Sequence, residues 1–243
     1  LPRTKTLERI LSKAGVGSRT EARAWIAAGR VRVDGRVVGD PDTWLEPERA
    51  RVTLDGRPVR AAAPVYLLLH KPTGYLTTRR DPQGRRTIYD LLPPEQRKLV
   101  PVGRLDLDSS GLLLLTNDTA FAERVTNPDS KVPKTYEVKA VGHLSDAQLL
   151  ALARGVELRD GPTRPAAVRR LREPGGRTVL EITLSEGRNR QVRRMLEAVG
   201  SKVSTLRRVA IGALALGDLP PGAARPLRPA EVRDLLAQGS ATR

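Results

Sequence analysis

Two acidic residues, Asp106 and Asp108, lie one residue apart in Val102-Gly103-Arg104-Leu105-Asp106-Leu107-Asp108-Ser109-Ser110-Gly111, which leads into the apolar run 112–115 and then Thr116-Asn117-Asp118. A carboxylate in a Gly-flanked loop that enters a buried strand sits near a core, where only a paired or hydrogen-bonded charge is tolerated. Three chemistries fit this arrangement. The acids can be ordinary turn residues that bond the backbone. They can form a D-x-D pair that holds a divalent metal at a sugar diphosphate, although the chain carries no nucleotide-binding glycine loop to go with it. Or Asp106 can be a nucleophile, which requires a basic partner to keep it ionised. The loop by itself leaves the three open.

Composition narrows the setting. Cys is absent and the only histidines are His70 and His143. Disulfides, thiolate nucleophiles and thiolate metal sites are excluded, and His-based triads or zinc clusters have little to draw on. Lys and Arg number 43 against 27 Asp and Glu, a net charge of +16. Such a balance points to an acidic partner, nucleic acid first and an anionic membrane second. No stretch has the length of a spanning helix, no lipidation motif is visible and the N-terminus has no apolar signal core. The expectation is a cytoplasmic chain without membrane attachment, metal or cofactor, and a monomer because like charges oppose self-association. Aromatic residues make up only 3% of the chain, so few side chains are available to stack a base.

The elements that must position these residues fall into two groups, and together they predict an α+β fold. Residues 1–60 read as a small α+β module. Leu7, Ile10, Leu11 and Ala14 share one helix face, and Ser18 with Glu21 forms a capping box that opens a second helix through Ala28. Asp34-Gly35 between Val31–Val33 and residues 36–38 predicts a hairpin with a type I′ turn. An Ala/Pro linker is expected at 61–64. Residues 65–243 read as a larger domain with a mixed, mainly antiparallel sheet and flanking helices. Buried strands are predicted at 65–69 and 111–115, a largely looped region at 70–100, and further strands at 136–141 and 179–184. Ser145 caps a helix over 146–153, Val192, Met195, Leu196 and Val199 mark a helix face ended by Gly200, and a closing helix is expected over 230–236.

Two resemblances attach to these patterns. Leu7-x-x-Ile10-Leu11, Gly17-Ser18-Arg19, Ala22, Ile26 and Gly29-Arg30-Val31-x-Val33-Asp34-Gly35 resemble an S4 RNA-binding domain. That resemblance implies a grip on structured RNA by shape and backbone, with Arg19, Arg30 and Arg32 among the contacts. The segment from Gly103 to Asp118 resembles the signature loop of the RsuA/RluB-type ribosomal-RNA pseudouridine synthases. Further segments match in the expected order: His70-Lys71-Pro72-x-Gly74-Tyr75, Asp81-Pro82-x-Gly84-Arg85, Lys134-Thr135-Tyr136, and Glu186-Gly187-Arg188-Asn189-Arg190-Gln191-Val192-Arg193-Arg194-Met195. The last of these is closer to the RluB-like, large-subunit branch.

What the resemblance implies is isomerisation of a uridine to pseudouridine in ribosomal RNA, with 23S rRNA or a large-subunit assembly intermediate as partner. A 16S rRNA enzyme and a non-catalytic ribosome-assembly protein are the alternatives. Asp106 is implied as nucleophile, and Arg193 as the partner that keeps it ionised, with Arg190 as the other candidate. Tyr136 is implied to pack against the flipped uracil and to relay a proton. Arg104 is expected to enter the gap that the extruded base leaves, or else to pair with Asp108 or Asp118. Arg188, Arg190 and Arg194 are expected along the RNA path, Arg85 in a second RNA-contacting loop, and Lys71 as a further RNA contact. The reaction needs no redox change and no activated donor.

Overall fold

The computed structural model describes residues 4–60 and 62–238, and the chain divides into two compact units, Leu1–Pro64 and Val65–Arg243. Ala61, in the expected linker, lies outside the described residues.

In the first unit the helices Leu7–Lys13 and Arg19–Ala27 bury Leu7, Leu11, Ala22 and Ile26 against Val31, Val33 and Val52 of a small four-stranded sheet. The capping box is present, with the Ser18 hydroxyl accepting from the Glu21 amide and the Glu21 carboxylate accepting from the Ser18 amide. Asp34 and Gly35 both have positive φ, 48° and 82°, as the tight hairpin demands. Glu8 is buried and holds Arg19 and Arg23. The hydrogen bond from Arg19, helped by Arg23, keeps its carboxyl below the usual range against the opposing effect of burial.

The second unit is built on a nine-stranded sheet. Its order across the sheet is Ala167–Arg172, Val179–Leu184, Lys134–Ala140, Val203–Ile211, Ser109–Thr116, Tyr66–Lys71 and Ala224–Pro226, with Val100–Val102 added on Ser109–Thr116 and Leu214–Ala215 on Val203–Ile211. All pairings are antiparallel except that of Val203–Ile211 with Ser109–Thr116, which is parallel. The fold is therefore the mixed, mainly antiparallel α+β class expected.

The central strands are continuously apolar because both faces are covered. Leu68, Leu112 and Leu114 pack beneath Phe121, Val125 and Leu235, from the helices Thr119–Thr126 and Pro229–Gln238. Leu67, Leu69, Leu113 and Leu115 face the other way, onto Ile88, Leu99 and Leu105. Each such leucine contributes about 2 kcal/mol of burial. The helices Asp146–Arg154 and Gln191–Ala198 cover the remaining strands through Leu152, Val192, Met195 and Leu196. Among the described residues no helix is long and apolar enough to cross a membrane.

Candidate active site

The acidic loop is held from below by the segment that follows the Tyr66–Lys71 strand. Lys71 has no solvent exposure, and its ammonium donates to the carbonyl oxygens of Asp106 at 2.8 Å, Ser109 at 2.7 Å and Pro72 at 3.1 Å. The Gly74 amide donates to the Leu107 carbonyl at 2.8 Å. The Thr77 hydroxyl donates to the Leu105 carbonyl at 2.8 Å, and the Ser109 amide closes a turn onto Asp106 at 3.1 Å. Every backbone acceptor from Leu105 to Asp106 is thus committed, which fixes the direction of the Asp106 side chain. Burial pushes the Lys71 ammonium down to about 8, against the opposite pull of Asp106 and Asp108.

Gly111 ends the loop for a steric reason. It is paired in parallel with Arg208, and a Cβ there would stand 2.2 Å from the Arg208 carbonyl oxygen and 2.6 Å from its amide nitrogen. Its φ of +110° also lies where side chains are strained.

The helix Gln191–Ala198 brings the cations. Arg190 precedes it in left-handed geometry, φ 49°, and its guanidinium lies 3.5 Å from the Asp106 carboxylate and 3.7 Å from that of Asp108. Arg193, one turn on and only 10% exposed, pairs with Asp108 at 3.0 Å and donates to the Asp108 carbonyl at 3.2 Å and the Ser109 hydroxyl at 3.4 Å. The pairing therefore differs from the first expectation: Arg190 takes Asp106, and Arg193 fastens the far side of the loop. Arg193 points inward from a buried helix face and meets the loop at Asp108 before it can reach Asp106. Glu186, buried, organises the approach to this helix. It accepts from the Gln191 side chain at 2.6 Å, the Arg164 amide at 3.0 Å and Arg188 Nε at 3.3 Å.

A cleft of about 550 Å³ opens over the loop. Arg104, Leu105, Asp106, Lys134, Tyr136, Arg190 and Arg208 are among its lining residues. Tyr136 lies on the Lys134–Ala140 strand, partly buried, with its ring packed against the same cluster that holds Leu105. Its hydroxyl has no hydrogen-bond partner among the described residues. Asp106, Tyr136 and Arg190, from three separate segments of the sequence, are thus brought to one cavity.

Several cations expected on RNA are engaged elsewhere. Lys71 is the clearest correction: its full burial beneath the loop leaves nothing to offer a phosphate. Arg188 donates to the carbonyls of Asp160, Gly161 and Pro162, and Arg194 makes two bonds to the Asp160 carboxylate, so both pin the Glu157–Leu158 and Gly161–Pro162 hairpin to the helix. Arg85 pairs with Asp81 within its own loop. Arg104 is exposed and makes none of the ion pairs with Asp108 or Asp118 that were its alternative. Arg19, Arg30 and Arg32 remain on the surface of the first unit, bonded to Glu8, Asp55 and the Gly35 carbonyl.

Two cations of the cleft are not among the site residues the sequence singles out. Arg208 is buried, with its Nε on the Leu112 carbonyl at 2.7 Å and one terminal nitrogen without a partner. Lys134 is half-buried, and burial together with Arg208 lowers it to about 8. The signal for Lys134 was its place two residues before Tyr136, which puts both on one strand face. For Arg208 the signal was only its place in the basic stretch 188–208, part of which must line a cleft or the surface, and nothing there picks out which residue turns inward. Among the described residues no cluster of acidic or His side chains is arranged to hold a metal ion.

The family model for RNA pseudouridylate synthases matches residues 65–198, the stretch that carries the loop, Tyr136 and the helix of Arg193. The chain belongs to this family. An S4 domain model matches residues 6–50. Over 233 residues the chain is 39% identical to the ribosomal large subunit pseudouridine synthase B of Bacillus subtilis, covering 95% of each chain. It is 42% identical over 230 residues to an RNA pseudouridine synthase of Aquifex aeolicus, covering 94% of this chain and 92% of that one. A crystal structure of a pseudouridylate synthase superposes with a TM-score of 0.69 at 31% identity, over 95% of this chain and 99% of the other. The protein is therefore an RNA pseudouridine synthase with an S4 domain, and the name of the Bacillus subtilis relative points to the large ribosomal subunit for that protein.

Proposed function

We propose that this enzyme isomerises a uridine of large-subunit ribosomal RNA, with Asp106 as the nucleophile, and that it works on a base turned out of the RNA into the cleft. The observation that carries this reading is the fixed Asp106 carboxylate 3.5 Å from the Arg190 guanidinium, at the floor of a cavity that also holds Tyr136. The guanidinium supplies a counter-charge beside a carboxylate placed to act as nucleophile. The carboxylate adds to the substrate at C6 of the base or at C1′ of the ribose, the N1–C1′ bond breaks, and the base rejoins through C5. The C5 hydrogen leaves as a proton and N1 gains one, so no oxidant or donor is consumed.

The Tyr136 ring offers a face to the uracil, and its unbonded hydroxyl is available to move the C5 proton. Arg104, exposed and uncommitted, fills the gap left in the RNA, where unstacking costs a few kcal/mol. The basic surface of the S4 domain contributes affinity through Arg19, Arg30 and Arg32. The large-subunit assignment rests on the name of the Bacillus subtilis relative, and a cytoplasmic site of action on the substrate class.

The test is tritium release from ribosomal RNA labelled at uridine C5. The wild-type protein releases tritium and Asp106→Asn does not, while both bind the RNA alike. Equal release from both would overturn the nucleophile. Pseudouridine mapping in 23S and 16S rRNA from a deletion strain identifies the subunit.

A further inference from the structure

The cleft and the loop beneath it contain more positive charge than Asp106, Asp108 and Glu186 require. Arg190 and Arg193 are matched with Asp106 and Asp108. Lys71 is spent on three carbonyls beneath the loop, and Arg188 on the 157–162 hairpin. Glu186 is bonded to Gln191 and Arg188, and Arg104 is uncommitted but exposed. Two cations are left inside. Arg208 is buried, with one terminal nitrogen unpartnered. Lys134 is half-buried and lines the cleft, and its ammonium has neither a hydrogen bond nor an ion pair among the described residues. Neither has a carboxylate within 4 Å among those residues. Two neighbouring cations, withdrawn from water and without a counterion, form a site arranged for negative charge that arrives with the substrate.

Position decides which part of the substrate brings that charge. Lys134 and Tyr136 are two apart on one strand and so share a face. Their backbones sit opposite Leu184 and Ile182 on one side and Ile211 and Arg208 on the other. The ring against which a uracil would pack and the free ammonium therefore belong to the same wall of the cleft. Arg104, by contrast, is exposed, which suits an RNA backbone.

We propose that Lys134 is a further catalytic residue, whose ammonium hydrogen-bonds a carbonyl oxygen of the uracil and stabilises the negative charge that the ring acquires as its glycosidic bond breaks. The electron pair of the N1–C1′ bond passes into the ring and is shared with the carbonyl oxygens. If the carboxylate adds first at C6, the displaced pair reaches the same oxygens. Lys134 keeps its proton throughout, and Arg208 supplies a second positive charge behind it. The charge exists only once the bond is breaking, so the contact favours the transition state over the bound substrate. This rests on the proposed use of the cleft around Asp106.

The titratable and charged groups that share the cleft with Lys134 are Asp106 and Arg104 from the loop, Tyr136 from its own strand, Arg208 from the adjacent strand, and Glu186, Arg188 and Arg190 from the approach to the helix. Burial and Arg208 place its titration at about 8. The protonated form is the active one, so the rate is lost as pH rises through that value.

The experiment compares Lys134→Met and Lys134→Arg with wild type. Single-turnover tritium release from labelled ribosomal RNA, RNA affinity against salt, and thermal melting are measured for each. Lys134→Met is expected to bind RNA within about twofold of wild type with an unchanged salt slope, and to react about 100-fold or more slowly, the usual effect of deleting one oxyanion donor. In Lys134→Arg the alkaline limb of the rate profile loses one deprotonation and falls less steeply than in wild type. Lys71, lowered to about 8 beneath the loop, and the uracil imide titrate alike in both enzymes, so the comparison reads the one deprotonation that Lys134→Arg lacks. Reaction of Lys134→Met within threefold of wild type overturns the proposal, as does a loss confined to affinity with a shallower salt slope, which marks a phosphate contact. If Lys134→Met does not fold, an alkaline limb of the same position and steepness in wild type and Lys134→Arg overturns it. Asp106→Asn, run in parallel, separates the outcomes: an active Asp106→Asn removes the reading of the cleft, whereas an inactive one beside a fast Lys134→Met removes only Lys134.

Discussion

Lys71 and Asp106 meet through the backbone: the buried Lys71 ammonium donates to the Asp106 carbonyl oxygen at 2.8 Å, so a cation below the loop sets the direction of a carboxylate above it. A buried ammonium is costly unless its donors are used, and here three carbonyls use them. Lys71→Met keeps much of the volume and removes every donor. The stability loss is expected to be about 2 kcal/mol, since one buried and two partly buried acceptors lose their partner. Tritium release should fall steeply while RNA affinity stays within about twofold, because Lys71 has no exposed surface. A melting curve and a filter-binding titration check both. A variant that bound RNA weakly and reacted normally once bound would restore Lys71 to the RNA surface.

Arg190 and Arg193 divide the two acids between them, and their variants should fail in different ways. Arg193 is buried and bonded to Asp108 and Ser109. Arg193→Ala removes these bonds and the packing of a nearly buried side chain, and, because Asp108 stays half exposed to water, is expected to lower stability by about 1–2 kcal/mol. Arg190 is 47% exposed and in left-handed geometry. Arg190→Ala should leave melting within a few degrees of wild type and still lower tritium release by tenfold or more, through loss of the cation beside Asp106. The reverse pattern would return Asp106 to Arg193.

How far the sequence reached can be seen at particular residues. Ser18, Glu21, Asp34 and Ser145 marked their helices and turn because caps and Asp-Gly pairs act locally. The strand Val179–Leu184 was readable because its apolar pattern matches its burial. The strands Ala167–Arg172 and Val203–Ile211 were not, because arginines interrupt them. In the second, Arg208 turns inward to bond the Leu112 carbonyl, a tertiary reward that no local pattern carries. The helix Thr119–Thr126 was missed although Asp118 caps it, since Asp118 was read as the end of the loop motif. At the site, Asp106, Tyr136 and the Arg190–Arg193 helix were legible from their segments. The destinations of Lys71, Arg188 and Arg194 were not, because a cation looks alike in sequence whether it meets a phosphate, a carbonyl or an aspartate.

Gly111 should tolerate no side chain. Gly111→Ala places a Cβ against the Arg208 backbone at the parallel pairing of two central strands. The strands must separate or the register shift, and the expected cost is about 3 kcal/mol or more, in the range of a severe backbone conflict. Chemical denaturation reads it directly. A variant within 0.5 kcal/mol of wild type, the range of a neutral surface change, would mean that the strands are not paired this way.

The engaged arginines should leave no trace in the salt dependence of RNA binding. Each phosphate contact adds about 0.7–0.9 to the slope of log affinity against log salt. Arg104→Ala is expected to reduce the slope by about one such increment. Arg194→Ala should leave it unchanged, since that guanidinium is committed to Asp160, and should instead loosen the 157–162 hairpin. A slope reduced in both would show that Asp160 releases Arg194 to the RNA.

Glu231 ties the closing helix to the edge of the sheet. Its carboxylate accepts from Arg225 at 2.8 Å and from Arg228 at 3.0 Å, and the hydrogen bond from Arg225, with those from Arg228, holds it down at about 2 against the effect of burial. The folded carboxyl therefore titrates below its unfolded value of 4.5. Between these values the unfolded chain binds more protons, so the stabilisation is complete above about 4.5 and is lost as pH falls through about 2. Glu231→Gln removes it at every pH. Melting temperatures of wild type and variant should differ most at neutral pH and converge as the acid limb is descended. Parallel curves down to pH 2 would show that the pair with Arg225 does not hold the helix.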